Sequence, residues 1–271
     1  MNSIQSDADG PAEVLVVKIG GSMLGSHDTT LDDLAELQRR GAACVVVHGG
    51  GALINEWLRR MDVPTSFERG LRVTDAEALR VVVAVLGGLV NKELVASLEA
   101  RGANVVGLSG VDSGILQARV VDPELGFVGE ITEVGTPLLR RLLGDGFIPV
   151  IAPLALEWAG NEPTGQVLNT NADTAAGAIA AALGARWLVF LTDVPGVMQD
   201  GAVLPSLTPA RAGELVESGA IGGGMIPKVE ASLAAASAGA RSVILDGREE
   251  HALLSVVDGK ATGTAVGQGA D

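Results

Sequence analysis

A short apolar strand that ends in a lysine and two glycines constrains this chain more than any other feature. The residues are Val14-Leu-Val-Val-Lys-Ile-Gly-Gly21, and the mostly β-branched apolar run predicts a strand that is buried on both faces. Ligands of an open parallel sheet bind beyond the carboxyl ends of the strands, where glycines let the backbone approach closely. Lys18 is therefore placed to meet an anion. The alternative is a surface lysine beside an ordinary Gly-Gly turn.

A second strand with a similar ending follows one helix later. The apolar spacing of residues 30–40 predicts an amphipathic helix, and residues 42–47 predict a buried strand that leads into His48-Gly-Gly-Gly51. A βαβ crossover makes the two strands parallel, so both glycine loops open at the same end of the sheet. A helix predicted at 52–60 follows, and its free amides favour a carboxylate or phosphate. The alternatives are that the glycines only allow tight packing and that His48 is a core or supporting residue.

Composition and charge narrow the classes of function. Of the 271 residues, 47% are apolar and 19% charged, which indicates a folded protein of one large domain or two lobes. A formal net charge of −14 disfavours nucleic acid and anionic membranes as partners, because both need a basic face.

The longest apolar runs, residues 81–90 and 175–185, are too short to cross a bilayer. Residues 1–13 show no secretion signal and predict a disordered tail on a cytoplasmic protein. Cys44, in a predicted strand, is interpreted as a core residue.

The distribution of lysines points to an anion site. The chain has four lysines against fifteen arginines, and both Lys18 and Lys228 adjoin glycine-rich turns. An acidic protein that binds phosphate must concentrate its few cations locally. Because these two lysines come from opposite ends of the chain, we expect them to converge in the fold.

The remaining pattern alternates strands and helices, which is typical of an α/β fold. Strands are predicted at 103–109, 146–152, 186–192 and 242–245. Helices are predicted at 76–99, 137–143, 174–183, 229–238 and 251–257. Residues 116–131 predict a hairpin, and residues 163–168 predict a loop or a short strand. The chain contains neither a P-loop nor a dinucleotide-binding glycine motif, and it contains no histidine or cysteine cluster for a structural metal.

Two polar segments offer candidate binding residues. Arg72 lies between apolar residues just ahead of a predicted helix cap at Thr74 or Asp75, where a guanidinium can bind a carboxylate in bidentate fashion. The alternative is a salt bridge from Arg72 to Glu68 or Asp75. The segment Asn169-Thr-Asn-Ala-Asp173 directly precedes a helix, so Asp173 either caps that helix or holds nearby lysines in their charged form.

Seven segments in this order resemble the amino acid kinase family and, within it, the acetylglutamate kinases. The resemblance covers residues 14–245. The segments are Val17-Lys-Ile-Gly-Gly21, Val47-His-Gly-Gly-Gly51, Arg69-Gly-Leu-Arg-Val-Thr-Asp75, Gly126-Phe-Val-Gly-Glu130, Asn169-Thr-Asn-Ala-Asp173, Thr192-Asp-Val-Pro-Gly196 and Gly223-Gly-Met-Ile-Pro-Lys228. It implies a three-layer α-β-α sandwich with a mainly parallel central sheet, in which residues 14–184 bind an acyl amino acid and residues 185–271 bind ATP.

The resemblance also implies a reaction and a role for each candidate residue. ATP is the expected co-substrate, with Mg²⁺ carried on its phosphates and no metal site on the protein, and the expected acceptor is the side-chain carboxylate of N-acetyl-L-glutamate, in arginine biosynthesis. Lys18 and Lys228 are implied to stabilise the transferring phosphoryl group, and Asp173 to organise them. The implied acyl-substrate residues are Gly49 and Gly50, through their amides, Arg72, at the α-carboxylate, and Asn169. The residues implied to border the nucleotide are Gly20, Gly21, Thr192, Asp193, Val194, Pro195, Gly196, Val197, Ala220, Ile221 and Gly222.

The chemistry of the residues agrees with this reaction. A substrate carboxylate with a pKa of about 4.3 is already ionised at neutral pH, so no general base is required. Catalysis then rests on alignment and on cations that meet the charge of the phosphoryl oxygens.

Assembly and substrate leave further alternatives. Arginine-inhibited family members carry an N-terminal helix that links dimers into a hexamer, and residues 1–13 show no amphipathic period. We therefore expect a homodimer without that ring. The rival functions are a kinase for aminoadipate or glutamate on a carrier protein, a kinase for carbamate or a nucleoside monophosphate, and a non-catalytic sensor of amino acid or nucleotide.

Overall fold

The computed structural model describes residues 13–20, 29–68, 70–260 and 263–267 of the chain. Residues 1–12 of the predicted tail and Gly21, which the sequence analysis assigns to the nucleotide site, lie outside these ranges. Within them, the chain forms the predicted α/β fold with a largely parallel central sheet.

The central sheet has eight strands in the described part of the chain. From one edge to the other they are β14 (Ser206–Leu207), β16 (Thr264–Val266), β15 (Arg241–Asp246), β11 (Trp187–Thr192), β1 (Val14–Ile19), β2 (Ala43–His48), β8 (Ile148–Ala152) and β5 (Val105–Ser109). Neighbouring strands are parallel except β15 and β16. Because β1 lies between β2 and β11, Lys18 is carried to the middle of the carboxyl edge.

Helices cover both faces of this sheet and make three layers. On one face lie α1 (Thr30–Arg39), α2 (Gly51–Arg60), α3 (Ala76–Val83), a π-helical segment (Ala84–Val90), α4 (Asn91–Glu99) and α9 (Ala252–Val257). On the other lie α5 (Pro137–Gly144), α6 (Ala172–Leu183), α7 (Pro209–Glu217) and α8 (Met225–Ser237). Alternate residues of β1, such as Val16 and Val17, enter the two opposite cores. This alternation follows from the two-residue period of a strand.

A second, four-stranded sheet contains the predicted hairpin. Its strands, in spatial order, are β10 (Glu162–Asn169), β9 (Leu154–Ala159), β6 (Leu116–Val120) and β7 (Gly129–Val134), and short hairpins are formed by β3 (Phe67–Glu68) with β4 (Leu71–Arg72) and by β12 (Met198–Gln199) with β13 (Ala202–Val203). β6 and β7 are antiparallel, so the hairpin prediction is confirmed. β9 was not predicted, because only Pro153 separates it from β8 and the two apolar runs merge in the sequence.

The long helix predicted at 76–99 forms, but its middle is π-helical. Residues Ala76–Glu99 meet the length and hydropathy criteria of a membrane span, although the uninterrupted apolar run is shorter. Most of its valines and leucines, including Val82 and Leu86, are buried in the core that covers one face of the sheet. The core position explains the hydropathy of this helix.

Close contact between α6 and α8 sets the spacing of the site described below. A Cβ added at Gly177 of α6 would lie 2.8 Å from the Cβ and 3.0 Å from the carbonyl oxygen of Ala231 in α8. The absence of a side chain at Gly177 therefore allows the two helices to approach. Asp173 lies one turn before Gly177, and Lys228 lies one turn before Ala231.

We expect Gly177→Ala to lower the free energy of unfolding by about 1–3 kcal/mol, because the added methyl meets the backbone of α8. Gly213→Ala is the matched control, since Gly213 lies inside α7 with nothing within 4 Å of an added Cβ. This control should be stabilised by about 0.5–1 kcal/mol through helix propensity. Urea unfolding of both variants measures the difference, and equal stabilisation of the two would contradict the close contact.

Candidate active site

Two lysines from distant segments meet at one carboxylate. Lys18 Nζ lies 2.7 Å from Asp173 Oδ1, and Lys228 Nζ donates a hydrogen bond to Asp173 Oδ2 at 2.9 Å. The side chains of Lys18 and Asp173 are each 7% exposed, and that of Lys228 is 15% exposed. The structure thus brings these three predicted residues together. The alternative of Lys18 as a surface lysine is wrong.

Asp173 is free to bind the lysines because another residue caps its helix. The side-chain oxygen of Asn171 accepts hydrogen bonds from the backbone N–H groups of Asp173, at 2.8 Å, and Thr174, at 3.1 Å. The interpretation of Asp173 as the helix cap is therefore wrong. Asp173 lies instead in the first turn, with its carboxylate turned toward Lys18 and Lys228.

Lys228 reaches the site from the first turn of α8. This helix begins at Met225, earlier than the predicted Val229. Lys228 Nζ also donates to the carbonyl oxygen of Gly224 at 3.0 Å, which fixes the direction of the side chain. Gly224, the last glycine of the run, therefore helps to position the ammonium group of Lys228.

Electrostatics leave positive charge at this cluster. Burial lowers the pKa of the Lys18 ammonium, the Asp173 carboxylate opposes this shift, and Lys228 adds to it. The carboxylate therefore favours the charged form of a lysine that burial would otherwise neutralise. In their charged forms, two ammonium groups and one carboxylate sum to one positive charge, which suits an anionic ligand.

A pocket of about 230 Å³ opens beside the cluster. Its glycine and polar lining comprises Lys18, Gly49, Gly50, Gly51, Gly70, Arg72, Asn169, Thr170, Asn171 and Asp173. Its apolar lining includes Ile54, Phe67, Leu71, Leu86, Val128 and Pro153. The predicted acyl-substrate residues therefore share one cavity with Lys18 and Asp173, two of the three charged groups of the cluster.

Arg72 is buried, and no described residue gives it a negative partner. Its Nη1 donates to Thr65 Oγ1 at 2.6 Å, its Nη2 lies 3.4 Å from the carbonyl oxygen of Gly51, and its guanidinium carbon lies 4.6 Å from the ring centroid of Phe67. Burial lowers the pKa of Arg72, and in the described part of the chain no carboxylate pairs with it. A buried cation held only by neutral groups can bind an anion that enters the pocket.

Neither predicted salt-bridge partner of Arg72 fills that role. Asp75 Oδ1 accepts a hydrogen bond from the backbone N–H of Ala78 and caps α3, as the sequence predicts, while Glu68 is exposed. The alternative of a structural salt bridge to either residue is therefore wrong.

Asn169 lines the same pocket as the glycine loop and is held by Thr74. Its Nδ2 donates to Thr74 Oγ1 at 3.2 Å, and the Thr74 hydroxyl donates to the carbonyl oxygen of Arg72 at 2.8 Å. The same threonine therefore links Asn169 to the backbone of Arg72. The Asn169 side chain keeps an N–H and an oxygen for a ligand.

The glycine loops differ in which amides are free. The N–H of Gly49 donates to the carbonyl oxygen of Ile19 at 3.0 Å, and that of Gly20 donates to Leu191 at 3.2 Å. The N–H predicted for Gly49 to contact substrate is thus already used. The N–H of Gly50 has no acceptor within the described ranges, so it is the available donor of this pair.

The predicted nucleotide residues 192–197 and 220–222 occupy two loops, and Gly20 directly follows β1. Thr192 ends β11, next to β1, and its hydroxyl accepts from the N–H of Val194 at 3.1 Å. Val197 and Ile221 are buried in the core, and the N–H of Val197 donates to Thr264 at 2.8 Å. Asp193, Pro195 and Gly196 complete the first loop, and Ala220 and Gly222 flank Ile221 before α8. The side chains of Val197 and Ile221 are therefore structural, which leaves backbone and loop edges for a ligand.

Sequence reasoning missed several residues of the site. Thr65 and Phe67, which hold Arg72, carry no signal in the sequence because the β3–β4 turn brings them to it. Asn171 could have been predicted from the sequence, because asparagine is a preferred N-cap residue and this one lies in the segment that directly precedes a predicted helix. Across the ranges described, no group of three His, Cys, Asp or Glu residues could hold a metal ion.

A family model and a curated relative show the family of this chain, and solved structures share its fold. The family model described as "Amino acid kinase family" matches residues 13–246. The acetylglutamate kinase of Cereibacter sphaeroides is 45% identical over 259 residues, which cover 93% of this chain and 87% of that protein. The solved structure of smu.665 from Streptococcus mutans matches with a TM-score of 0.84 and 31% identity, over 94% of this chain and 99% of that one. The N-acetylglutamate synthase of Neisseria gonorrhoeae, complexed with coenzyme A and N-acetyl-glutamate, matches with a TM-score of 0.80 and 28% identity, over 96% of this chain and 60% of that one.

The shared carboxylate makes a prediction about stability. We expect Asp173→Asn to lower the free energy of unfolding by about 3 kcal/mol, because it leaves the buried Lys18 without a counter-charge. The double variant Lys18→Met with Asp173→Asn should recover part of that loss. Urea unfolding at pH 7 tests both. If the single variant were as stable as the wild type, Asp173 would not compensate the lysines.

Proposed function

Because this chain belongs to the amino acid kinase family, we propose that it transfers the γ-phosphoryl group of ATP to the side-chain carboxylate of N-acetyl-L-glutamate. The products are N-acetyl-L-glutamyl 5-phosphate and ADP, and the reaction belongs to arginine biosynthesis. The observation that carries the proposal is the pairing of two lysines on Asp173 beside a pocket that holds Arg72, which pairs with no carboxylate of the described residues. The paired lysines suit a phosphoryl group, and Arg72 suits a carboxylate.

The proposed mechanism depends on alignment and charge. A carboxylate oxygen of the substrate attacks the γ-phosphorus, the bond to the β–γ bridging oxygen breaks, and ADP leaves with that electron pair. The carboxylate has a pKa of about 4.3 and needs no base to remove a proton. Lys18 and Lys228 stabilise the negative charge spread over the phosphoryl oxygens, and Asp173 holds the two ammonium groups in position.

The substrate side of the proposal assigns the pocket to the acyl amino acid. The Arg72 guanidinium binds the α-carboxylate, which supplies the negative charge that the buried cation lacks. Asn169 and the N–H of Gly50 donate to other oxygens of the substrate, and Gly49 supports Gly50. The apolar lining at Leu86 and Val128 suits the aliphatic part of the substrate.

The nucleotide side of the proposal assigns ATP to the loops after β11 and before α8. Residues 192–197 and 220–222 border the nucleotide, together with Gly20 and Gly21. Mg²⁺ arrives as the complex with ATP and serves as part of that substrate. Residues 14–184 then form the lobe for the acyl substrate, and residues 185–271 form the lobe for ATP.

We also propose a cytoplasmic homodimer. The edge strand β5 lacks a partner on its outer side in the described sheet, and the neighbouring long helix exposes Gly88. An edge strand and a glycine on a helix surface both favour contact with a second copy. ATP and acylated amino acids are cytoplasmic metabolites, which supports that compartment.

A hydroxamate assay tests the proposed reaction. Hydroxylamine converts an acyl phosphate into a hydroxamate, so the protein with Mg-ATP should give product from N-acetyl-L-glutamate and little from L-glutamate or L-2-aminoadipate. Product only from a carrier-bound substrate would favour the carrier-dependent kinase. Binding of ATP and N-acetyl-L-glutamate without any ADP or hydroxamate would favour the sensor.

Kinetics separate the two halves of the site. We expect Lys18→Arg and Lys228→Arg to lower kcat about a hundredfold or more, because the longer guanidinium moves the charge away from the phosphoryl oxygens. Arg72→Ala should instead raise the KM for N-acetyl-L-glutamate at least about tenfold, because it removes charge-assisted hydrogen bonds. Arg119→Ala, on the exposed β6–β7 hairpin, is the control for loss of one positive charge. Near-wild-type turnover in both lysine variants would remove them from the mechanism.

A further inference from the structure

A chain of hydrogen bonds, buried at its two central residues, lies behind the glycine loop of the pocket. Lys92 Nζ donates to Asn91 Oδ1 at 3.0 Å, Asn91 Nδ2 lies 3.2 Å from His48 Nε2, and His48 Nδ1 lies 3.0 Å from the carbonyl oxygen of Gly49. His48 and Asn91 are both 0% exposed. The chain of hydrogen bonds therefore runs from the exposed Lys92 on α4, through the buried Asn91 and His48, to the loop after β2.

The chemistry of these groups leaves one arrangement of protons. An ammonium group only donates, so the oxygen of Asn91 faces Lys92, and the Nδ2 of Asn91 donates to the carbonyl oxygens of Leu108, at 3.1 Å, and Val150, at 2.9 Å. Three acceptors, the two carbonyl oxygens and His48 Nε2, thus share the two protons of Nδ2. The other ring nitrogen of His48, Nδ1, lies beside the carbonyl oxygen of Gly49, which can only accept. The proton of the neutral ring is then on Nδ1, which donates to Gly49.

The surroundings keep His48 neutral. Burial lowers its pKa to about 4, the hydrogen bond to Gly49 opposes the shift, and the charges of Lys18 and Lys92 add to it. The ring therefore stays in one protonation state over the neutral range of pH.

A glycine in strand β5 leaves room for this chain of hydrogen bonds. A Cβ added at Gly107 would lie 2.2 Å from Asn91 Oδ1 and 2.8 Å from Lys92 Nζ. A side chain at this position would therefore displace both groups.

The bond from His48 sets the direction of the next amide. In a trans peptide, the carbonyl of Gly49 and the N–H of Gly50 point in opposite directions, and the described chain has no cis peptide bond. His48 holds the carbonyl oxygen inside the protein. The N–H of Gly50, a residue that lines the pocket, is thereby turned away from His48 and has no acceptor in the described protein.

We propose that His48, Asn91 and Lys92 are positioning residues, which orient the Gly49–Gly50 peptide so that the N–H of Gly50 donates to an oxygen of the acyl substrate. This inference rests on the proposed function for the identity of the substrate. None of the three residues is assigned a contact with substrate. Their effect is to fix one donor before the substrate arrives, which reduces the ordering needed on binding.

The state of His48 tests the proposal without any substrate. The chain has three histidines, so long-range proton–nitrogen NMR spectra of protein labelled at histidine nitrogen can be assigned by comparison with His48→Asn. We expect His48 to show the neutral ring with the proton on Nδ1 from pH 5.5 to 8.5. A proton on Nε2, or titration near the ordinary value of about 6.5, would overturn the proposal.

Kinetics test the effect on the pocket. His48→Leu and Asn91→Leu should raise the KM for N-acetyl-L-glutamate about five- to tenfold, with the KM for ATP unchanged, as expected for a weakened hydrogen bond. His48→Asn places an amide N–H near the former Nδ1 and should recover most of the loss. Val95→Ala, which trims an apolar side chain that packs beside Gly107, is the control and should leave both KM values unchanged.

The outcomes separate this inference from the proposed function. Equal effects of His48→Leu on both KM values, or no advantage of His48→Asn over His48→Leu, would reduce these residues to a structural role and overturn the proposal. If the wild type formed no acyl phosphate, the proposed function would fail. The amide resonance of Gly50 in the free protein would then test whether the three residues orient the Gly49–Gly50 peptide. That resonance should shift in Asn91→Leu and stay in place in Val95→Ala, and the reverse would overturn the proposal.

Discussion

The site depends on one buried carboxylate that two ammonium groups share. Removing Lys18 from water costs free energy, and Asp173 offsets that cost at a distance of 2.7 Å. Lys228 binds the other oxygen of the same carboxylate, so β1, which carries Lys18, and α8, which carries Lys228, are held at a fixed separation. A single negative charge thus positions two positive ones, and the surplus charge attracts an anion.

The fold supplies this meeting point through the direction of its strands. Parallel strands end at one edge, so the loops after β1, β2 and β11 all open there. Helices α6 and α8 come close enough because Gly177 and Ala231 have little or no side chain. The small residues of these helices are therefore part of the geometry of the site, although none of them carries chemistry.

The two cations of the pocket region differ in how the protein treats their charge. Lys18 is compensated by Asp173 in the free protein, whereas Arg72 is held by a hydroxyl, a carbonyl and an aromatic ring. Neutral partners fix the guanidinium without using its charge. A carboxylate that enters the pocket therefore meets an oriented cation, and a phosphoryl group meets a cluster that already has an internal counter-charge.

The sequence by itself determined the α/β class, most strand and helix positions, and the segments that carry the chemistry, because these follow from local periodicity and from glycine and lysine placement. It did not reveal β9 or the use of the Gly49 N–H by Ile19, since each depends on which segments become neighbours. The cap at Asn171 is local, and its signal was present in the sequence. The sequence left open whether Asp173 caps a helix or pairs with lysines, and whether Arg72 is bound by an acid. Only the tertiary structure decided these points, because a charged side chain finds its partner across distances of many residues that no local pattern encodes.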